Sequence, residues 1–487
     1  MKSNPFIWNT PLLPEKNIPT MVWREKQLNK LLEDVAAAKH PLIVGPRLSG
    51  RTTLAYQLAY KLRRIPGNNN IVFFVNLSTL VSPAENELIS YISDTIIKEL
   101  LSDAERLGLK VNYEMLEKNF TKNIPYRFNE LTQFLNKLVD CFTGISRIAL
   151  IIDGIEELSE DMIAKTLNVF RSIATGQIKI KNCNPGKPYY SFIVLCQQNL
   201  TEFNPHPDKG GSPYNEGTET RRLRDFDFKE LEELMKGEHE GEKLSDIFEK
   251  DAVKFLFYIT GGHAHLIQRL CHRAIDVLIE NGQQGIDTES IIEALFWLFK
   301  EGVRDLRAIT AYEQYEKSEK IIVDLLRGIP VPFERCLKKI SYLEDRGIIK
   351  EDEKTSKCIF RTKIYEMLFL KLYFNKIFDS SGVSLEGDKV LYLDIPEIQR
   401  VLVSDKVLRY LKQKILEDGV VSKSSIHEYL TEAFEKLFSF NIDIIKYYLG
   451  KWSENLDINN ISNADVIDIL AEAFYSYFES NLKHNEP

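Results

Sequence analysis

Apolar residues recur at helical spacing through residues 22–39 (VWREKQLNKLLEDVAAAK), and the pattern then changes to a short apolar run, PLIVG, ending in glycine. The first pattern predicts an amphipathic helix and the second a strand buried on both faces. After a glycine-rich turn, TTLAYQLAYKLRR reads as a helix, and IVFFVNL (Ile71 to Leu77) as another buried strand behind the turn signal Pro66-Gly67-Asn68. Strand, loop, helix, strand is a βαβ unit, because parallel neighbours require a crossover. Helical patterns fill roughly residues 84–104 and 128–142, and two further buried runs follow, RIALIID (Arg147 to Asp153) and SFIVLC (Ser191 to Cys196). The predicted fold class is α/β, a parallel sheet covered by helices.

The stretch from Gly176 to Tyr190, rich in Lys, Gly and Pro, predicts an exposed loop or hairpin. From about residue 228 to 300 the pattern is wholly helical and is broken at Gly261-Gly262, which predicts a lid-like bundle. Residues 318–375 give helix, short helix, helix, a polar hairpin (KEDEKTSKCIFRT) and a last helix, the order of a winged helix. A turn-rich SSGVSLEGDK (Ser380 to Lys389) reads as a linker before an acidic, aromatic-rich helical bundle.

Composition narrows the classes. A chain of 487 residues exceeds what one hydrophobic core supports, so two to four domains are expected. Apolar residues are 44% and charged residues 28%, enough to build real cores. A formal net charge of -8 excludes a surface built wholly for nucleic acid. Six scattered cysteines form no CxxC pair and read as reduced thiols. The start, MKSNPFIWNT, has no apolar leader core and no membrane-length apolar run follows, so a cytoplasmic location with no membrane partner is expected.

Candidate chemistry begins at GPRLSGRTT (Gly45, Pro46, Arg47, Leu48, Ser49, Gly50, Arg51, Thr52, Thr53), which sits between a predicted strand and a predicted helix. Gly45 and Gly50 allow successive N–H groups to point inward, and the helix start adds its positive dipole end, an arrangement that holds phosphate oxygens. Thr52 falls where a hydroxyl reaches Mg²⁺. Arg51 stands where the motif GxxxxGK[ST] has lysine, so a planar fork replaces a point charge. Binding is therefore expected over efficient hydrolysis. The competing reading is an ordinary glycine turn.

A second candidate lies in RIALIIDGIEEL, where Asp153 ends a buried strand and can hold Mg²⁺ through water. Glu156 and Glu157 follow within reach of a water attacking a γ-phosphate, and one of them can act as general base. A strand ending in Asp before an acidic helix cap is the alternative.

Together GPRLSGRT and LIIDGIEEL resemble the two Walker motifs of the STAND class of P-loop NTPases. VWREKQL (Val22 to Leu28) resembles the hydrophobic-x-Gly-Arg-Glu leading helix of the STAND and origin-recognition branches, with Trp23 in place of glycine and Arg24 at the arginine position. GSPYNEG (Gly211 to Gly217) with the helix after it, and TGGHAHLIQRLC (Thr260 to Cys271), are similar to segments of bacterial AAA-like proteins, with Ala264 in place of proline. The resemblance covers roughly residues 5–375. It implies a P-loop nucleotide-binding domain (1–227), a helical lid (228–310) and a winged-helix domain (311–379), and the helical spacing and acidic composition of the tail add a helical C-terminal domain (380–487).

The resemblance further implies that Gly262, His263 and Ala264 lie against the base of ATP or ADP; Gln197, after the fourth strand, reads either as the γ-phosphate reader of such folds or as a solvated loop residue. Arg221 and Arg222 read either as a sensor pair or as surface charges. The implied activity is an ATP-binding switch with slow hydrolysis that drives self-association or recruits a protein effector through the C-terminal domain. Bacterial stress or anti-phage defence is the implied setting. DNA, bound through the winged helix with its Lys354, Lys357, Arg361 and Lys363, is the less favoured partner, and a scaffold that binds without hydrolysing is the third alternative.

Overall fold

Alternate residues of each buried strand feed two separate apolar layers, and this alternation fixes where the helices lie. In the computed structural model, β1 (His40–Val44), β2 (Asn70–Asn76), β3 (Arg147–Asp153), β4 (Tyr189–Cys196) and β5 (Thr218–Arg222) form one parallel sheet in the order β2-β3-β4-β1-β5. One face carries Phe73, Val75, Leu150, Ile152, Phe192 and Val194 into a core with α3 (Glu85–Leu107), α4 (Phe128–Asp140) and α5 (Glu160–Cys183). The other face carries Ile43, Val72, Ile151, Ile193 and Leu195 into a core with α1 (Glu25–Ala36) and α2 (Arg51–Arg63). Both faces are covered, as parallel strands require.

The structure describes residues 3–16, 18–65, 70–80, 82–107, 125–140, 147–183, 189–197, 200, 218–282, 284–300, 318–326, 329–366 and 368–369. The segment GSPYNEG, Gln198, the linker and the predicted C-terminal bundle lie outside them. Among the described residues no helix is long and apolar enough to cross a membrane. The expected loop after Gly176 differs from what is found, since α5 runs on to Cys183. A single internal glycine costs a helix only about 1 kcal/mol, which a helix of 24 residues tolerates.

The chain divides into two units, the first built from residues 1–253, 262–285 and 345–347 and the second from the remainder. Beyond the sheet, the first unit holds α6 (Phe228–Met235), most of whose charge faces outward, and α8 (Ala264–Asn281), which follows α7 (Lys250–Thr260) across the Gly261-Gly262 break. The predicted lid span 228–310 is therefore shared between the units. The second unit contains α9 (Thr288–Lys300), α10 (Glu319–Leu326), α11 (Lys338–Asp345) and an antiparallel hairpin of β6 (Ile349–Asp352) and β7 (Lys357–Phe360). Of the basic residues assigned to that hairpin region, Lys354 and Lys357 are exposed, Arg361 is buried, and Lys363 pairs with Glu366 at 2.6 Å.

Polar side chains secure both edges of the sheet. At the β2 edge Asp103 accepts the Val72 N–H at 2.8 Å and Arg63 donates to the Val72 carbonyl at 2.8 Å, so an otherwise open edge finds partners. At the β5 edge Arg221 grips buried Asp34 of α1 with Nε at 2.7 Å and Nη2 at 2.8 Å. Arg221 is thus committed to holding β5 against α1. Replacing Asp34 with Ala removes both bonds and is expected to cost about 2 kcal/mol. A urea titration followed by circular dichroism should show the midpoint falling with little change in slope.

Candidate functional site

Parallel strands that share a sheet end on one edge, and that edge gathers the candidate residues. The register pairs Val44 with Cys196 and Asp153 with Leu195, so Gln197, which is half-buried, leaves the sheet between the loop after β1 and the end of β3. The Gly45 N–H donates to the Cys196 carbonyl at 3.1 Å and ties the start of the loop to β4.

Within the loop the Ser49 hydroxyl donates to the Pro46 carbonyl at 2.7 Å, closing a tight turn. Leu48 and Gly50 both have positive φ, at 62° and 87°. Gly50 needs its freedom twice over, because a Cβ there would also lie 3.2 Å from Nη2 of Arg24. Arg24 is buried, donates to the Ser49 carbonyl at 2.8 Å and to the Arg224 carbonyl at 2.7 Å, and lies 4.6 Å from the Phe226 ring centroid. A trans peptide points its C=O and N–H in opposite directions. Anchoring the Ser49 carbonyl on Arg24 therefore turns the Gly50 N–H to the other side of the loop.

The start of α2 can meet an anion. Its N-cap is Gly50, with no side-chain cap and no acidic residue in the first turn, so the N–H groups there keep the positive end of the helix dipole uncompensated. Beside them Arg51 donates from Nη2 to Glu156 at 2.6 Å, while Arg51 Nη1 and Glu156 Oε2 are buried without hydrogen-bond partners. A guanidinium has donors on more than one edge, so Arg51 can add an acceptor without leaving Glu156.

Thr52 donates its hydroxyl proton to Asp153 at 2.5 Å. The lone pairs of Thr52 Oγ1 then remain free for a cation. Burial pushes the Asp153 carboxyl above its ordinary value of 3.8, and the Thr52 hydrogen bond and the Arg51 charge pull it only partly back. A hydroxyl and one carboxylate are hard oxygen donors suited to Mg²⁺, which characteristically takes its other ligands from phosphates and water. No cluster of three or more His, Cys, Asp or Glu that could hold a metal ion occurs among the described residues. Glu157 follows in the turn Ile155–Glu157, next to Glu156.

Next to the loop lies a cavity of about 240 Å³, lined by residues 7–12, Thr20, Val22, Arg24, Leu48, 50–53, Phe226, Ala264, His265 and Gln268. The N-terminal segment is pinned across it. Asn4 bonds the His272 carbonyl and Asp276 of α8, both at 2.7 Å, and the Leu12 N–H donates to Thr53 of α2 at 3.2 Å. Ala264 faces the cavity, whereas His263 is buried as the N-cap of α8, its Nδ1 3.5 Å from the Leu266 N–H. Gly262 makes this approach possible: its carbonyl accepts the Phe226 N–H at 2.9 Å, and a Cβ would sit 2.0 Å from the Phe226 carbonyl. Sequence reading did not single out Trp8, Phe226 or Gln268, because their place in the cavity depends on contacts between distant segments.

No family model matches the chain. An uncharacterized ATP-binding protein of Methanocaldococcus jannaschii is 26% identical over 161 residues, 31% of this chain. The match spans 46% of that protein, less than half its length. Among solved structures, a Walker-type ATPase of Pyrococcus abyssi is similar at a TM-score of 0.49 and 14% identity, over 75% of this chain and 99% of that one. The ORC2 protein of Aeropyrum pernix, in ADPNP and ADP complexes, is similar at 0.45 and 12%, over 77% and 98% of the two chains.

Because burial raises the Asp153 carboxyl, its ionisation opposes folding: stability falls as pH rises from 3.8 through the raised folded value. Asp153→Asn should therefore raise nucleotide-free stability at pH 7, with no gain below both values. Thermal unfolding across a pH series reads both limits.

Proposed function

We propose that this chain is a nucleotide-dependent switch that binds ATP or ADP with Mg²⁺ at Gly45–Thr53, in the manner of the STAND class its sequence resembles. One observation carries the reading: the uncapped start of α2, the spare donor of Arg51 and the Thr52–Asp153 pair converge at one sheet edge. The name of the Methanocaldococcus relative, an ATP-binding protein, is consistent with it.

In this reading the N–H groups from Leu48 to Thr53 hold phosphate oxygens, and Arg51 adds a charge-assisted hydrogen bond from Nη1. Thr52 and Asp153 would hold Mg²⁺, which when bound neutralises charge on the phosphates. Glu156 polarises the attacking water, with Glu157 as the alternative base, and Gln197 reads the terminal phosphate. Glu156 is tied to Arg51 at 2.6 Å, so it would have to leave that ion pair to act on a water. Residues 7–12 and Ala264 receive the base, so that nucleotide would bridge α2 and α8 and favour one arrangement of the first unit over another.

Residues 311–379 serve as a winged-helix clamp, and residues 380–487 as the surface for self-association and an effector. Bacterial stress or anti-phage defence is the setting this class implies. Duplex binding is the weaker reading of the hairpin, given that Arg361 is buried and Lys363 is paired.

Calorimetry should detect ATP uptake that requires Mg²⁺ and that falls at least about tenfold in Arg51→Ala. Glu156→Gln should keep binding while phosphate release drops by about a hundredfold or more. Particle mass measured with and without ATP and Mg²⁺ should change. Absent uptake at millimolar ATP would remove the reading, and unchanged mass would remove the switch while leaving the binding site.

A further inference from the structure

Gln268, on the α8 face toward the cavity, is buried and one of its polar atoms is unsatisfied. Its Nε2 donates to the Thr20 carbonyl at 2.8 Å, while its Oε1 is buried without a hydrogen-bond partner. A carbonyl only accepts, so turning the amide over would set two acceptors against each other. The orientation is therefore fixed by chemistry, and Oε1 is held as an acceptor awaiting a donor.

The surroundings narrow what that donor is. Trp8, Val22, Phe226 and Ala264 line the same cavity and give it apolar, aromatic surface of the kind that accepts a flat heterocycle. Trp8 is itself held rigid, with the Arg269 guanidinium 3.4 Å from its ring centroid and the His265 ring edge-on at 6.2 Å. A buried acceptor in an aromatic cavity that adjoins a phosphate loop fits a purine that presents a donor at its 6-position.

We propose that Gln268 selects the base: its Oε1 accepts a hydrogen bond from the 6-amino group of adenine and thereby favours ATP over GTP. The proposal rests on the nucleotide reading of the site given above. Guanine carries a carbonyl oxygen where adenine carries the amine, so Oε1 would face a second acceptor with no proton between them. Discrimination then comes from repulsion of the wrong base as well as attraction of the right one.

The test compares ATP, GTP and purine riboside 5′-triphosphate, which lacks the amine, by calorimetry on the full chain with Mg²⁺. Wild-type protein should bind ATP about tenfold more tightly than purine riboside triphosphate, the difference one buried neutral hydrogen bond makes, and GTP more weakly still. Gln268→Leu should bring ATP down to the level of purine riboside triphosphate and leave the latter unchanged. Equal wild-type affinity for ATP and purine riboside triphosphate would overturn the assignment while leaving the phosphate site standing; a water then satisfies Oε1. Failure to bind any of the three would take down both. The wild-type comparison needs no variant, so a Gln268→Leu chain that does not fold leaves the answer readable.

Discussion

Parallel pairing is the constraint on which the rest depends. Because β1, β3 and β4 run the same way and are locked in register, Val44, Asp153 and Cys196 finish together at one edge. No local feature of GPRLSGRTT or LIIDGIEEL brings Thr52 to Asp153, 101 residues later in the chain. The sheet does it, and the sheet holds because both its faces are buried in separate apolar cores.

On that edge, folding and ligand chemistry pull in opposite directions. A buried carboxylate beside a hydroxyl, an ion pair with an unsatisfied atom on each partner and a helix start without a cap all cost stability in the free chain. Under the proposed nucleotide reading each cost would have the same remedy: anionic oxygens carrying a divalent cation. The cores supply the stability that lets these groups remain, and Arg24 prevents the loop from relaxing by holding the Ser49 carbonyl.

How much was legible in the sequence follows from the range of the forces involved. The strands and most helices could be read because periodicity is local and the apolar runs were unambiguous; the loop Gly45 to Thr53 between strand and helix, and Asp153 at a strand end, could be placed from the same pattern. The extension of α5 past Gly176 was not legible, since glycine and lysine content signals a loop while a long helix absorbs one glycine. Nor was the N-terminal segment, whose residues 3–12 have no period of their own and acquire a role only when Asn4 meets His272 and Leu12 meets Thr53. Arg24 could have been found, since it occupies the arginine position of the leading-helix pattern, yet its task of orienting the loop is a matter of three carbonyl and ring contacts.

Arginine at position 51 follows the same logic. A lysine ammonium is a compact charge that would have to choose between Glu156 and a phosphate, or sit between them. The guanidinium divides the work, with Nη2 on Glu156 and Nη1 buried and unsatisfied beside the loop. Such a fork couples the two groups: whatever pulls Nη1 also moves the charge that restrains the glutamate. If the site binds nucleotide as proposed, such a fork would register a phosphate through a change in an ion pair, a task that demands tight geometry, whereas rapid turnover demands an unencumbered base.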